Sequence, residues 1–447
     1  MSRYFLNKMI DHTFSFSSYT TFLIVAAVIC CYAVVSLSYS FSTDDNPIRQ
    51  VSDASQLHFQ YSADAFSAVD HHQDHDDDNF DDFSFAPYYP SIKVEAIYQF
   101  GDSISDTGNF IRQNPSSNFA NLPYGQTFFH KPTGRCSNGL IMIDYISKFY
   151  KLPLLEPYLK KDGNFNHGVN FAVAGSTALN TSDLATKGIK PGPTNSSLFV
   201  QLNWFKSHLN SICSTPSECK EKLAKALFMM GEIGGNDYNW AFIQNLTMTE
   251  TYNMVPQVVQ AIKHAVEEVI KLGAMGIVVP GNFPIGCMTC NLNMFKTDDL
   301  TMYDELKCLK NLNNHSNYHN NMLQQAIKEL RKDHPHVTIV YADYTSAMQQ
   351  LLRDSASLGF DEERMQEACC VKCGNKGGSV CENPYKHVSW DSVHLTQHAY
   401  QIMAKWLIKN NFHDLGVVIT SMAISTYSIS FYFIFFSLIF SYIFVMF

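Results

Sequence analysis

The chain has 447 residues, of which 46% are hydrophobic and 13% aromatic, so it is long enough for one large globular domain or two ordinary ones. Its formal net charge is −9, but residues 64–82 contain eight aspartates and no lysine or arginine, so the rest sums to about −1. Because a nucleic-acid partner requires a basic face, we expect none.

Residues 1–40 are predicted to be a targeting segment. Arg3 and Lys8 precede an apolar core at residues 22–37, and small residues follow it. This layout is typical of a signal peptide. Because the charged region before the core is long, an uncleaved membrane anchor is the alternative.

Residues 41–92 are predicted to form an acidic disordered arm, because they contain the run DHHQDHDDDNFDD and no sustained apolar period. The side chains of His71, His72 and His75 could bind a divalent metal. Tracts of this kind are more often solvated charge runs, so no metal site is predicted here.

Cysteines and glycosylation sequons indicate the secretory route. Of twelve cysteines, Cys30 and Cys31 lie in the N-terminal apolar run, which leaves ten in the body. Four sequons are present, at Asn180, Asn195, Asn245 and Asn314. Together with the leader they predict a secreted, glycosylated, disulfide-bonded protein.

Apolar runs alternate with helical patterns through residues 93–413, which are predicted to form one domain. The runs expected to be strands are residues 97–100, 169–173, 226–230, 277–280 and 337–341. The expected helices are residues 140–150, 255–272, 303–331 and 396–410. This alternation indicates an α/β fold of three layers, α/β/α, with a central, mostly parallel sheet.

Candidate site residues follow the ends of several of these strands. Ser103, Gly175 and Asn236 each come after a strand end, where open α/β sheets place their active sites. A serine beside Gly101 could serve as an acyl-transfer nucleophile, although such residues also form ordinary turns. Asp391-x-x-His394 has a spacing that lets a carboxylate steady an imidazole near that serine.

These pieces resemble the sequence blocks of the GDSL, or SGNH, hydrolase family in its large plant branch. They are GDSISDTGN, with Ile104 where the family name has leucine, then GVNFAVAGSTAL, GGND and WDSVH, in that order. The resemblance covers residues 94–412 and implies an SGNH-hydrolase-like, flavodoxin-like fold. Within the branch, the chain most resembles the esterases related to acetylajmalan esterase and sinapine esterase.

The resemblance implies a role for each matching residue. Ser103 would be the nucleophile, His394 the general base and Asp391 the group that orients His394. The backbone N–H groups of Ser103 and Gly175 and the side-chain amide of Asn236 would form the oxyanion hole. Fixed donors of this kind stabilise a tetrahedral intermediate by roughly 3–4 kcal/mol each.

The function predicted is therefore a carboxylic ester hydrolase that forms a serine acyl-enzyme, without a cofactor or metal. Its partner would be a small-molecule ester, either an acylated plant metabolite or a lipid ester, and we expect it to act as a monomer. Two alternatives remain: an acyltransferase that uses the same triad, and a binding glycoprotein without activity.

The remaining polar residues near these blocks have structural interpretations. Asp106 and Asn109 are expected to cap a helix start or fix the turn, and Asp102 to brace the same turn. Asp237 is expected to hold the loop of the third block, and His167 to be a loop residue.

Cysteine spacing suggests where disulfides form, although spacing alone does not fix connectivity. Cys213 and Cys219 bracket five residues and are expected to pair, and resemblance to plant members implies a bridge between Cys287 and Cys308. A further group precedes the WDSVH block and is expected to brace it: Cys369, Cys370, Cys373 and Cys381. Cys370-x-x-Cys373 could alternatively be half of a zinc site, with Cys287-x-x-Cys290 as the other half.

Residues 414–447 form a hydrophobic tail that plant members usually lack. Its last 33 residues carry no charge and are enough to cross the ~30 Å hydrocarbon core of a bilayer. The tail could be a membrane anchor, a removable lipid-anchor signal or a read-through appended to a secreted protein.

Overall fold

A computed structural model of the chain describes residues 94–190, 192–412 and Leu415. The predicted leader, the acidic arm with His71, His72 and His75, and the tail beyond Leu415 lie outside the described residues. Within the described part, no helix is both long and apolar enough to cross a membrane.

Five parallel strands form the central sheet, in the order β2-β1-β3-β4-β5. They are β1 (Ala96–Phe100), β2 (Gly168–Asn170), β3 (Ala226–Met230), β4 (Gly276–Pro280) and β5 (Thr338–Ala342). Each pairs in parallel with its neighbour, as when Tyr98 lies opposite Val169 on one side and Phe228 on the other. The predicted parallel sheet is therefore confirmed, and its strand order is the flavodoxin-like one.

Helices cover both faces of the sheet. Among the described residues they are α1 (Asn109–Gln113), α2 (Met142–Phe149), α3 (Thr181–Thr186), α4 (Leu198–Ile212), α5 (Pro216–Ala224), α6 (Gly235–Ile243), α7 (Met248–Leu272), α8 (Thr289–Met294), α9 (Lys310–Asp333), α10 (Tyr344–Arg353) and α11 (Gln397–Asn411). Strand side chains such as Tyr98, Phe228 and Ile277 share one core with apolar residues of α4, α7 and α9. A second group of helices lies at β5, where α11 packs against the strand and α2 and α10 pack against α11. The three-layer α/β/α prediction is confirmed.

The strand predicted at residues 169–173 ends earlier, at Asn170. Beyond it, the N–H groups of Phe171 and Val173 still donate to Gln99 and Gly101 of the neighbouring segment. The carbonyl groups of Asn170 and Ala172, however, accept from the side-chain amide of Asn109. The strand ladder therefore stops because a side chain from the first sequence block takes its acceptors.

Two helix starts differ from the prediction. α7 begins at Met248 instead of residue 255, because Thr247 and Glu250 form a capping box and the helix accommodates Pro256. α9 begins at Lys310 instead of residue 303, since the preceding segment pairs Tyr303 with Leu309. In both places local capping and pairing, not apolar spacing, decide where the helix starts.

Four disulfides are present: Cys213–Cys219, Cys287–Cys308, Cys369–Cys381 and Cys370–Cys373. The first two confirm the predicted pairs. The last two cross-link a small antiparallel hairpin of β6 (Cys370–Val371) and β7 (Ser379–Val380). The Cys370-x-x-Cys373 motif is thus a disulfide and not half of a zinc site, while Cys136 and Cys290 stay free.

Candidate active site

The strand order reverses next to β1, and this reversal positions the site. The chain crosses from β1 to β2 on one side and returns to β3 on the other. Parallel sheets leave a crevice outside the carboxyl ends of the strands at such a point. Ser103 follows the end of β1, and Asn236 lies in the first turn of α6 after β3, so both belong to this edge.

A tight turn at Gly101 carries Ser103. Gly101 has φ 146°, and a Cβ there would lie 2.6 Å from Ser105 Oγ and 2.7 Å from the Glu232 carbonyl oxygen. The Gln201 side chain holds this peptide from α4, accepting from Gly101 N–H at 2.9 Å and donating to its C=O at 2.8 Å. Ser103 is consequently held in a fixed turn, with 7% of its surface exposed.

The loop before α11 brings Asp391 and His394 together. His394 Nδ1 lies 2.7 Å from Asp391 Oδ2, while the backbone N–H of His394 donates to Oδ1 at 2.8 Å. Ser392, with φ 83°, makes the bend that turns these groups toward the carboxylate. Burial raises the pKa of Asp391, but the charge and hydrogen bonds of His394 and the Tyr124 hydroxyl outweigh burial and lower it to about 2. Asp391 is therefore ionised, and it fixes the imidazole through Nδ1.

The other imidazole nitrogen, Nε2 of His394, is buried and has no hydrogen-bond partner in the described part of the chain. Ser103 is thus not hydrogen-bonded to it here, although such bonds are often long in ligand-free enzymes and tighten with substrate. The segments that carry Ser103 and His394 do interact electrostatically. Burial raises the pKa of Asp102, beside Ser103, to about 7, and the Ile104 N–H and the charge of His394 oppose that rise.

The structure joins the second and third sequence blocks through Asn236. Its side-chain amide donates to Asp102 Oδ2 at 3.1 Å and to the Ser176 carbonyl at 3.0 Å. Asn236 therefore lies between the turn of Ser103 and the loop of Gly175, which has φ 84°. Because its amide already has two partners, a substrate oxygen must share or displace one of them.

Trp240, which the sequence analysis did not identify as part of the site, lies one helical turn after Asn236. Its indole Nε1–H donates to the Gly175 carbonyl at 3.3 Å. A Cβ at Gly192 would lie 2.4 Å from the indole ring, so the segment that contains Gly192 approaches the ring as closely as glycine allows. Trp240 therefore braces the Gly175 loop from the same helix that carries Asn236.

Asp106 and Asn109 have the structural roles predicted for them. Asp106 accepts hydrogen bonds from three N–H groups at the start of α1 and from Ala174 N–H at 2.9 Å. Asn109 accepts from Leu159 N–H and donates to the carbonyl groups of Asn170, the last residue of β2, and Ala172 in the following loop. Together they tie the first block to the second.

Asp237 and His167 also have structural contacts. Asp237 accepts from the backbone N–H groups of Ala178 and Leu179, so it links α6 to the second block. His167 is exposed, next to β2, and its Nδ1 contacts the Glu95 carbonyl. Both positions agree with the structural interpretations given above.

Glu232 is a buried carboxylic acid that the sequence analysis missed. It follows β3 within GEIGGND, and its backbone carbonyl accepts from Asp102 N–H. Burial, followed by the charges of Asp102 and Asp237, raises the pKa of Glu232 well above its ordinary value. Burial likewise raises the pKa of Asp237 to about 7. A charged residue two positions beyond a fully buried strand was the available sequence signal.

Two aromatic residues of the loop between α1 and α2 complete the site. Tyr124 Oη donates to Asp391 Oδ2 at 2.7 Å. Phe119 packs edge-to-face on the His394 ring, with the ring centroids 5.8 Å apart. No sequence spacing indicated this contact, because 267 residues separate Tyr124 from Asp391.

The part of the chain that the structure describes contains no group of three or more His, Cys, Asp or Glu side chains suited to holding a metal ion. The sequence blocks carry a hydroxyl, an imidazole held by a carboxylate, and amide donors. This set is suited to acyl transfer by a side-chain nucleophile.

Residues 97–407 match the family model of GDSL-like lipase/acylhydrolase. Acetylajmalan esterase of Rauvolfia serpentina is 45% identical over 328 residues, which cover 70% of this chain and 84% of the relative. A GDSL esterase/lipase of Arabidopsis thaliana is 43% identical over 334 residues, covering 71% of this chain and 86% of the relative. The matched region includes every strand of the sheet except the first residue of β1, and all residues of the site.

Proposed function

The chain belongs to the GDSL-like lipase/acylhydrolase family and is an ester hydrolase, and from this premise we propose that Ser103, His394 and Asp391 are its catalytic triad. The observation that carries the proposal is the state of the imidazole. Asp391 engages Nδ1, so the proton is held there and Nε2 is the free acceptor. A buried, unpartnered basic nitrogen at the edge that carries Ser103 is suited to general-base catalysis.

In the first half-reaction, Ser103 Oγ attacks the acyl carbon of the ester and its proton passes to His394 Nε2. The imidazolium that forms is stabilised by the Asp391 carboxylate. The tetrahedral oxyanion accepts hydrogen bonds from the N–H groups of Ser103 and Gly175 and from the Asn236 amide. When the intermediate collapses, His394 returns the proton to the departing alcohol.

In the second half-reaction, water attacks the acyl-enzyme. His394 takes a proton from the water, a second tetrahedral intermediate forms in the same donor set, and Ser103 leaves with the proton from His394. The ester bond is thereby replaced by a carboxylic acid and an alcohol. Every proton transfer uses a single nitrogen, which is why the fixed orientation of the His394 ring matters.

The substrate is a small-molecule ester, and we propose an acylated plant metabolite or lipid ester within that class. The support is the similarity to relatives named acetylajmalan esterase, together with the Phe119 and Trp240 rings beside the site. A series of p-nitrophenyl esters with graded acyl lengths, followed by acetylated metabolites, would test this. Activity confined to charged or very long acyl groups would contradict the metabolite assignment.

The decisive variant is Ser103→Ala. We expect a loss of turnover on the order of 10⁴-fold or more, because serine hydrolases lose about that much when a triad member is removed. Asn236→Ala should lose roughly 10²–10³-fold, as expected for one oxyanion donor. The measurements are kcat with an activated ester and covalent labelling by a fluorophosphonate.

Ser207→Ala is the matched control, because Ser207 is an exposed serine on α4 outside the crevice. It should keep wild-type turnover and labelling. Wild-type turnover by a folded Ser103→Ala protein, or fluorophosphonate attached to a different serine, would refute the triad.

We also propose that the enzyme passes through the secretory pathway. Eight of the described cysteines are paired in four disulfides, which persist in oxidising compartments. The sequon asparagines at Asn195, Asn245 and Asn314 are exposed and accessible to glycans. Mapping the glycosylated asparagines of protein from a secretory host tests this proposal.

A further inference from the structure

We propose that Tyr124 is a positioning residue of the triad, whose O–H holds Asp391 and thereby controls how strongly His394 binds a proton. This inference rests on the proposed triad and extends it by one residue. Tyr124 does not meet the reacting atoms. It acts through Asp391, and its role can therefore be separated experimentally from that of Ser103.

The hydrogen bonds of Asp391 define this role. Oδ1 accepts from the backbone N–H groups of Val393 and His394, at 3.1 and 2.8 Å. Oδ2 lies 2.7 Å from both His394 Nδ1 and Tyr124 Oη. Among the described residues, Tyr124 is therefore the hydrogen-bond donor to this carboxylate that lies outside the loop. It donates to Oδ2, the oxygen closest to the imidazole.

Packing keeps the Tyr124 hydroxyl in place. The residue is 1% exposed, and its ring packs edge-to-face against Phe119 and Trp390. The segment before it is tied to the disulfide-linked hairpin, since Asn118 Nδ2 donates to the Cys373 carbonyl and Asn121 Nδ2 to that of Gly374. Tyr124 cannot leave Asp391 without unpacking this side of the crevice.

The hydroxyl remains a donor throughout the useful pH range. Burial, followed by the negative charge of Asp391, raises the pKa of Tyr124. Its O–H draws electron density from the carboxylate oxygen, so Asp391 stabilises the imidazolium less than an unpaired carboxylate would. Loss of this hydrogen bond would therefore strengthen the attraction between Asp391 and the imidazolium.

Other titratable groups also face this pair. They are Asp102 after β1, Cys136 before α2, Cys290 on α8 and Tyr400 on α11. In the described part of the chain none of them donates a hydrogen bond to the Asp391 carboxylate. Replacing Tyr124 leaves these groups in place, so a change in the pH profile reports the loss of this donor.

Tyr124→Phe tests the inference. We expect the acidic limb of kcat/KM to move up by about half to one pH unit, because a carboxylate that has lost a donor holds the imidazolium more tightly. The second-order rate of fluorophosphonate labelling should show the same shift without reference to any ester substrate. Activity on the alkaline plateau should change much less.

Tyr145→Phe is the matched control, since Tyr145 is also buried and its hydroxyl donates to the Gln397 carbonyl at 3.3 Å. It should lose comparable thermal stability and keep the wild-type pH profile. An unshifted acidic limb in folded Tyr124→Phe, or an equal loss at every pH, would overturn the role of Tyr124.

A second substitution covers the case in which Tyr124→Phe does not fold. 3-Fluorotyrosine incorporated at position 124 keeps the ring and supplies a more acidic, stronger donor. The acidic limb should then move to lower pH, and a shift in the other direction would contradict the inference. If wild-type Ser103 is not labelled at all, the proposed triad fails instead, so the two failures are distinguishable.

Discussion

At the scale of single residues, the buried carboxyl groups around the turn of Ser103 differ in the hydrogen bonds that they accept, and Asp106 accepts four. Asp102 and Asp237 each accept two, from backbone or amide N–H groups. Among the described residues, no donor reaches the carboxyl group of Glu232. Burial raises the pKa of Glu232 well above its ordinary value, so it is the one best kept protonated. A neutral Glu232 avoids placing another negative charge beside the proposed oxyanion donors.

The pH dependence of stability tests this assignment. A carboxyl group whose folded-state pKa is raised stabilises the fold at low pH and loses that contribution as pH rises through the folded-state pKa. The contribution of each such group to the free energy of unfolding should therefore fall as pH rises above about 4, by up to about 1.4 kcal/mol per pH unit. Glu232→Gln should reduce that fall, and urea titrations over a pH series would measure it.

Glu362→Gln is the control for this experiment, because Glu362 is exposed. Its pH dependence should match that of the wild-type protein. A Glu232→Gln variant whose stability falls with pH as steeply as the wild type would show that Glu232 is ionised in the folded state.

At the scale of elements, the disulfide-linked hairpin supports the loop that carries Asp391 and His394. Cys369 N–H donates to the Ser389 carbonyl at 3.1 Å, and Cys370 N–H to that of Trp390 at 2.6 Å. The loop itself closes through Trp390 N–H, which donates to the His394 carbonyl at 2.7 Å. These hydrogen bonds attach the hairpin to the loop. The hairpin thus holds the loop in position relative to the sheet.

Removing one hairpin disulfide should therefore reduce catalysis as well as stability. For the double variant Cys369→Ala, Cys381→Ala we expect kcat to fall roughly ten- to a hundred-fold, because small displacements of catalytic groups have effects of that size. The melting temperature should fall too, since the unfolded chain gains freedom. Turnover of an activated ester and a thermal scan are the two measurements.

Cys213→Ala, Cys219→Ala provides the comparison, since this disulfide lies between α4 and α5, away from the loop. It should lower the melting temperature while kcat stays near the wild-type value. Equal kcat for the two double variants would mean that the hairpin does not position the loop.

At the scale of the whole molecule, the sequons differ in accessibility. Asn195, Asn245 and Asn314 are exposed on three separate segments. Asn180 is half-buried at the start of α3, and its Oδ1 accepts from Ser197 Oγ at 2.7 Å. Asn180 is therefore less accessible to a glycan than the three exposed asparagines.

We therefore expect protein from a secretory host to carry glycans on Asn195, Asn245 and Asn314, with Asn180 largely unoccupied. Enzymatic deglycosylation in heavy-oxygen water followed by peptide mass mapping would identify each occupied site. Protein that leaves the host folded and active without any glycan would contradict the prediction, and so would full occupancy of Asn180. Replacing each exposed asparagine by glutamine in turn should remove one glycan mass.

The sequence by itself determined the alternation of strands and helices and the parallel sheet, and it supplied the proposed site residues Ser103, Gly175, Asn236, Asp391 and His394. These features are local, because apolar periodicity and short motifs are written in neighbouring residues. Two disulfides were also predictable, one from its short spacing and one from family resemblance.

Tertiary structure alone decided how the site is supported. The contacts of Tyr124 with Asp391 and of Trp240 with Gly175 join segments far apart in sequence. The raised pKa of Glu232 depends on its burial and on the charges of Asp102 and Asp237. Burial and long-range hydrogen bonds exist only once the chain has folded, so no local pattern of residues could specify them.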